Sequence, residues 1–317
     1  MSKNRLFSQN GERKQKKARP SGNFLLVLAA IMLGTVGIAS ALLNQVQSVP
    51  PLMVTLLRLA FSSPFLIGLA RYTAHRPSSS RFRVGWQDLP LLMAMALAMV
   101  CCQALFFVAI PFSSVTLVVV ISLCSAPLIV SLLSILLFKE RLTFKVIVSL
   151  MLALAGTAFL TSEGGSLRFK PEYLLGAGLA LGSGFGYSSF VLLSKLATRR
   201  IKASSSQIIA WAFSLGTLML LPFTFFTGNL ELDLNWQVWL IAAYMGLVPT
   251  GLAYFLVQVA LQSTTATAAA IITLLEPAVA ALLAWLILSE PLTLLTGLGA
   301  GLLMLSVWLL SQRKPEA

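Results

Sequence analysis

The chain has 317 residues, of which 57% are hydrophobic and only 10% charged, with a formal net charge of +13. A soluble domain needs roughly 25% charged residues to cover its outside, so this balance excludes a soluble globular protein. The basic residues lie between apolar blocks and at the ends, not on a helix interleaved with exposed aromatics, which excludes nucleic acid as a partner and favours orientation signals in membrane loops.

In chain order, residues 1–23 hold seven Lys or Arg and one acid and read as a disordered cytoplasmic tail. A signal peptide does not fit, because the apolar stretch that follows is full length and no small-residue cleavage site precedes a soluble domain. About 20 consecutive apolar residues cross the roughly 30 Å of hydrocarbon in a bilayer. That rule predicts spans at 24–43, 51–70, 89–110, 114–138, 144–161, 172–194, 205–227, 236–257, 265–288 and 292–311. The expected fold is an all-α integral membrane protein of ten transmembrane helices, with five spans in 24–161, five in 172–311 and a second cytoplasmic tail at 312–317.

The first notable residue inside a span is Arg58, about seven residues and roughly 10 Å from one end at 1.5 Å per residue. It can snorkel outward, pair with an acid or bind an anionic substrate group. His75, the only histidine, lies in a basic loop and reads as solvated; the connections are short except for the Ser-rich basic loop at 77–83 and the loop at 164–170. Cys101, Cys102 and Cys124 have neither metal-ligand spacing nor histidine partners, so they read as packing residues, and no metal or cofactor is expected. Gln103, Ser122, Tyr187, Trp211, Tyr244 and Tyr254 are candidates to line a small-molecule cavity, each with packing as its simpler role.

Pro127 and Pro277 each remove a backbone donor and clash with the carbonyl four residues earlier. They should free the carbonyls of Leu123 and Thr273 near mid-membrane, as gating kinks beside a substrate site or as kinks that only shape the bundle. Glu276 lies about 11 residues from either end of its span; an acid at that depth costs roughly 3 kcal/mol and marks a functional site. Thr273 shares its helical face. The structural alternative is an acid hydrogen-bonded within the bundle or paired with Arg58. Gly178, Gly182 and Gly186, and likewise Gly297 and Gly301, have the spacing that lets membrane helices approach closely. The Gly-rich run at 182–186 is no nucleotide loop, being buried in an apolar span without a preceding strand.

With the amino terminus inside, the inner loops and tails carry seven basic residues in the first tail, Arg71, Arg76, Arg81 and Arg83, then Lys139, Arg141 and Lys145, then Lys195, Arg199, Arg200 and Lys202, and last Arg313 and Lys314. The outer loops carry only Arg168 and Lys170, beside the acids Glu231 and Asp233. A bias of twenty to two predicts both termini in the cytoplasm and a place in the cell membrane.

The chain also repeats itself. Residues 125–143 align with 275–293 at an offset of 150 without a gap, matching Pro127 to Pro277, Glu140 to Glu290, Leu142 to Leu292 and Thr143 to Thr293. Because each half holds five spans, the second begins on the opposite side of the membrane, so the repeats are inverted. That architecture suits alternating access, with a site at the repeat interface near the midplane. Glu140 and Glu290 precede the fifth and tenth spans, where acids complement a helix amino terminus, and Thr143 and Thr293 are candidate caps. Glu276 has Ala126 as its counterpart, an asymmetry expected where one half specialises in ligand contact.

The duplicated segment from the proline to Glu-Xaa-Leu-Thr, the Leu275-Glu276-Pro277 sequence of its second copy and the Leu-Arg58-Leu stretch resemble the EamA family of the drug/metabolite transporter superfamily, over about 25–311. The resemblance implies a ten-helix bundle that transports, often exports, amino acids, nucleosides, drugs or related metabolites. The expected function is therefore a secondary transporter of a small metabolite. Expected partners are that substrate, the bilayer, protons as a candidate coupling ion and a second copy of the chain as a candidate homodimer. A membrane scaffold or receptor is the main rival, and its static role gives no reason for exchangeable repeats. An intramembrane lipid-modifying enzyme would need convergent acids, histidines or metal ligands, and one buried acid and one loop histidine do not supply them.

Overall fold

The computed structural model describes residues 21–74, 84–112, 115–161, 172–228, 233–288 and 293–311. Most of the basic tail, His75, Arg76, Arg81, Arg83, Arg168, Lys170, Glu231, Glu290, Arg313 and Lys314 lie outside the described residues. In hydrocarbon an apolar segment must satisfy its backbone internally, and a helix does so within one segment. The described chain follows that rule with α1 (Gly22–Val46), α2 (Pro51–Ala74), α3 (Leu89–Ala109, extended by a 3-10 turn at Ile110–Phe112), α4 (Val115–Phe138) and α5 (Phe144–Thr161) in the first half. The second half holds α6 (Glu172–Arg200), α7 (Ser205–Phe226), α8 (Trp236–Met245), a π-helical segment (Gly246–Leu252), α9 (Ala253–Ala260), α10 (Ala266–Thr273), α11 (Leu275–Leu288) and α12 (Leu294–Ser311).

Among the described residues nine segments are long and apolar enough to cross a membrane, and Phe144–Leu160 is a shorter apolar tenth. Large apolar side chains such as Leu136, Phe144, Leu174 and Leu294 point outward, as befits a surface solvated by lipid. Several helices run past their expected ends, α1 to Val46 and α2 to Ala74 among them. The sixth span continues to Arg200 instead of ending at 194, and the eighth runs to Ala260 through the π-helical segment.

The packing repeats what the sequence repeats. α6 packs on α3 and α4, and α1 packs in the same way on the α8–α9 span and on α10–α11. α7 lies against α3 as α2 lies against α8 and the π segment, while α2 pairs with α7 and α5 with α12. At α5–α12 the symmetry reaches single residues. Gly156 and Gly299 face each other so closely that a Cβ on either would sit 2.7 Å from the other's carbonyl oxygen. The Ser306 hydroxyl donates to the Ser149 carbonyl at 2.9 Å. An offset of 150 carries Ser149 to Gly299 and Gly156 to Ser306, so the two contacts are exchanged images of one another.

Several glycines act otherwise than expected. A Cβ at Gly178, Gly297 or Gly301 would meet nothing within 4 Å, so these positions are not close-approach sites within the chain. Gly186 is one, with its added Cβ 2.9 Å from the Cys102 backbone, and at Gly182 the Leu105 side chain would be 3.0 Å away.

The paired prolines also behave differently. α4 passes through Pro127 as one helix, whereas the ninth span breaks at Leu274 into α10 and α11, three residues before Pro277. Beside Pro127, Ser188 Oγ donates to the Ala126 carbonyl at 3.0 Å and Ser131 Oγ to the Pro127 carbonyl at 2.6 Å.

Candidate functional site

The second half carries two irregular segments, and both flank the same charges. Pro249 cannot donate to the Met245 carbonyl, and the chain responds with a π turn, the form in which helices often build functional sites. Gly246 permits close contact with α2, since a Cβ there would lie 2.9 Å from the Arg58 carbonyl oxygen. Thr250 is buried, and its Oγ1 accepts a hydrogen bond from Arg58 Nε at 3.0 Å. Arg58 therefore turns into the protein and does not simply snorkel to a lipid surface.

The other irregularity is the break at Leu274. It places Glu276 in the first turn of α11, where the positive end of a helix favours an anion. α1 comes close on this side, with an added Cβ at Gly34 only 2.9 Å from the Glu276 carbonyl oxygen. Glu276 lies within electrostatic reach of Arg58, although the guanidinium hydrogen bond runs to Thr250. Tyr254 lies near both residues, and Tyr187 lies near Thr273 and Glu276. Thr273 Oγ1 in turn donates to the carbonyls of Ala269 and Ala270. Irregular backbone at membrane depth is tolerated where protein buries it or where it lines a cavity; here Thr250 and Leu274 are both buried.

An aromatic cluster adjoins these groups. Tyr254 meets Phe213 edge-on with ring centres 5.3 Å apart and Phe190 at 5.7 Å, and all three rings are buried. The result is a site with one basic and one acidic side chain, two phenols and an apolar wall. Such a set can hold a small solute by both of its charges.

At the end of the bundle that carries Arg71, Lys139, Lys195 and Arg200, the basic face, polar bonds join neighbouring helices, two sets within the second half and one across the halves. Lys195, expected in a loop, is in α6 and buried; its Nζ donates to the carbonyls of Leu261, at 2.6 Å, and Thr264. Gln258 Nε2 donates to the Ser194 carbonyl at 3.2 Å, and Ser134 and Thr267 share a hydroxyl bond of 2.8 Å. Glu140 also corrects its expected role. It caps the amino terminus of α10, in the other half, rather than that of α5. Thr293 does cap its own helix, accepting from Thr296 N–H at 3.3 Å.

Of the residues singled out in the sequence, Arg58, Tyr187, Tyr254, Thr273 and Glu276 therefore come together. Ser122 is separate, buried with its hydroxyl spent on the Ala180 carbonyl at 3.0 Å. Gln103 is half-buried on α3, and Tyr244 reaches Thr35 on α1 at 3.1 Å. Trp211 faces a cleft between α2 and α7. Sequence reasoning missed Thr250, Phe190 and Phe213. Pro249 between Gly246 and Gly251 is a signal that could have led to Thr250 but was not used, and nothing in the sequence marked the two phenylalanines.

The model of the EamA-like transporter family matches residues 20–162 and again 174–312. A Bacillus subtilis protein described as the uncharacterized transporter YwfM is 30% identical, over 91% of this chain and 93% of its own length. An uncharacterized transporter of Archaeoglobus fulgidus is 28% identical over 90% of this chain and 94% of its own. A solved crystal structure shares the fold with a TM-score of 0.79 at 18% identity, covering 93% of this chain and 97% of that one. The chain is a multi-pass membrane protein of the EamA-like transporter family.

Proposed function

We propose that the protein is a secondary transporter that exports a small polar metabolite carrying both charge signs, such as an amino acid, by alternating access of its two halves. The observation that carries this reading is the convergence of Arg58, which reaches from α2 to Thr250 in the π-helical segment, and Glu276, which follows the break at Leu274. Arg58 supplies donors for a carboxylate, Glu276 accepts an ammonium group, and the Tyr254, Phe190 and Phe213 rings take the apolar part. Discontinuous helices with charged groups at their ends are how secondary transporters hold ions and solutes near the midplane. Glu276 can also carry a proton when the site is empty. The ties at the basic face then act as the inner gate. The positive-inside bias supports a cytoplasmic position for that face and the cell membrane as the place of the protein.

The test is counterflow in proteoliposomes, screening amino acids first and then nucleosides and cationic compounds. An amino acid that exchanges with wild type and is lost with Arg58→Gln supports the reading. Exchange confined to solutes of one charge sign overturns the assignment of both charges to the substrate. Orientation is read in intact cells with a membrane-impermeant thiol reagent on a cysteine-free background. Asp233→Cys should label and Arg200→Cys should not, and the reverse pattern would invert the topology.

A further inference from the structure

The residues that flank the α2–α7 pair on its outer side form a second polar site, away from the charges described above. A cleft of about 210 Å³ is lined by Ile67, Arg71, Ala210, Trp211 and Ser214. Arg71 is exposed in the last turn of α2, at the basic face. Trp211 Nε1 and Ser214 Oγ are buried and have no hydrogen-bond partner. Two orphaned groups in one cleft ask for an explanation, because buried polar atoms in folded proteins are otherwise nearly all paired. The cleft is no accident of loose packing. A hydroxyl bond between Ser63 and Thr217 joins the two helices deeper in the bundle, and one between Thr73 and Ser206 joins them at the basic end, each at 3.1 Å.

Symmetry does not demand this chemistry. At the offset of 150 the counterparts of Trp211 and Ser214 are Phe61 and Pro64, and those of Ile67 and Arg71 are Thr217 and Leu221. The mirrored position therefore has neither the cation nor the indole. The neighbouring surface is apolar, with Pro64, Gly68 and Leu218 exposed on either side, so what enters the cleft does so from among lipid chains.

The geometry points to the α2–α7 cleft as a binding site for the headgroup of an anionic phospholipid. Arg71 pairs with the phosphate, and the Trp211 indole N–H and the Ser214 hydroxyl donate to its oxygens. The acyl chains lie along the exposed faces of α2 and α7. An arginine in the last turn of a span is an anchoring group expected at headgroup level, and basic pockets between transmembrane helices take such headgroups; Trp211 lies about 9 Å farther in along α7, at 1.5 Å per residue.

Native mass spectrometry of the purified full chain tests the site, with phosphatidylglycerol, phosphatidylcholine and soluble glycerol 3-phosphate as probes. Wild type should retain phosphatidylglycerol over phosphatidylcholine by about five-fold, the factor expected for one well-placed cation. Arg71→Gln should bring the two lipids near parity, Trp211→Phe should lower the preference, and Arg200→Gln, on the same face but outside the cleft, should leave it intact. Phosphatidylglycerol should raise the melting temperature of wild type and not of Arg71→Gln. A lipid-free melting temperature equal to that of wild type shows that this variant is folded. Undiminished preference in Arg71→Gln, or equal loss in Arg200→Gln, overturns the site. Protection by soluble glycerol phosphate equal to that by the lipid overturns the lipid as its source.

Discussion

Glu140 and Thr267 belong to different halves of the chain, yet the Glu140 carboxylate accepts the Thr267 backbone N–H at 3.3 Å and its hydroxyl at 2.9 Å. The same carboxylate accepts the Ala266 N–H at 2.9 Å, so it closes the open end of α10. Local geometry aims it there. Lys139 has a positive φ of 55°, and the Glu140 N–H turns back to the Ser134 carbonyl at 3.3 Å, so the chain reverses sharply at the end of α4. A residue beyond the end of α4 thereby becomes the cap of α10.

Breaking that cap should loosen the basic face without dismantling the fold. Glu140→Ala removes an anion and three accepted bonds from a helix amino terminus, a loss of about 1–2 kcal/mol. The expected outcome is an inserted protein whose single cysteine at Thr264, placed on a cysteine-free background, reacts faster with a thiol reagent than in wild type. Glu140→Gln, which keeps an acceptor without the charge, should fall between the two. Unchanged reactivity in Glu140→Ala would mean that the cap does not hold this face shut.

The two prolines should differ on replacement even though they are equivalent in sequence. Pro277→Ala restores an N–H for the Thr273 carbonyl and lets α10 and α11 join through Leu274, which moves Glu276. Transport should fall several-fold, with expression retained. Pro127→Ala acts on a helix that is already continuous and should change transport little. Equal effects of the two would show that the break at Leu274 has no special part in turnover.

Glycine variants separate true close approaches from sequence patterns. Gly299→Val forces a side chain against the Gly156 carbonyl and should cost about 1–3 kcal/mol, as overpacking does. Gly297→Val meets nothing within the chain and should leave thermal stability of the monomer near that of wild type. Melting in detergent reads both, and a reversed order would contradict the α5–α12 contact.

These glycines show what was legible in the sequence. Helix ends such as 144 and 161 were, because lipid allows an apolar segment few alternatives to a full helix. The repeat was also legible, since Pro127, Glu140 and their counterparts keep one offset. Arg58 and Glu276 stood out because charges inside apolar blocks are rare. Helix rotation was not legible, because a span that is apolar all round carries no stripe to show which way it faces. Trp211 was accordingly grouped with the cavity candidates, and Gly297 was read as a contact that Gly299 makes. The destination of Glu140 depends on which helix begins nearby in space, and the π turn depends on how α2 meets Gly246.

Glu276→Gln is the most direct test of the charged site. The amide keeps the size and most of the hydrogen-bonding capacity of the carboxyl group but cannot ionise, so insertion and folding should be retained. If Glu276 exchanges a proton or holds a cationic group as the site alternates, transport should fall strongly. Any pH dependence that wild type shows across roughly pH 5.5 to 8.5 should flatten in the variant, because its titrating group is gone. Arg58→Gln should also fall, and the double variant should lose less than the two losses combined, since residues that share a site are not additive. Measurements need vesicles holding matched amounts of folded protein. Full activity of Glu276→Gln with an unchanged pH profile would remove this acid from the mechanism and leave recognition to Arg58, Thr250 and the tyrosines.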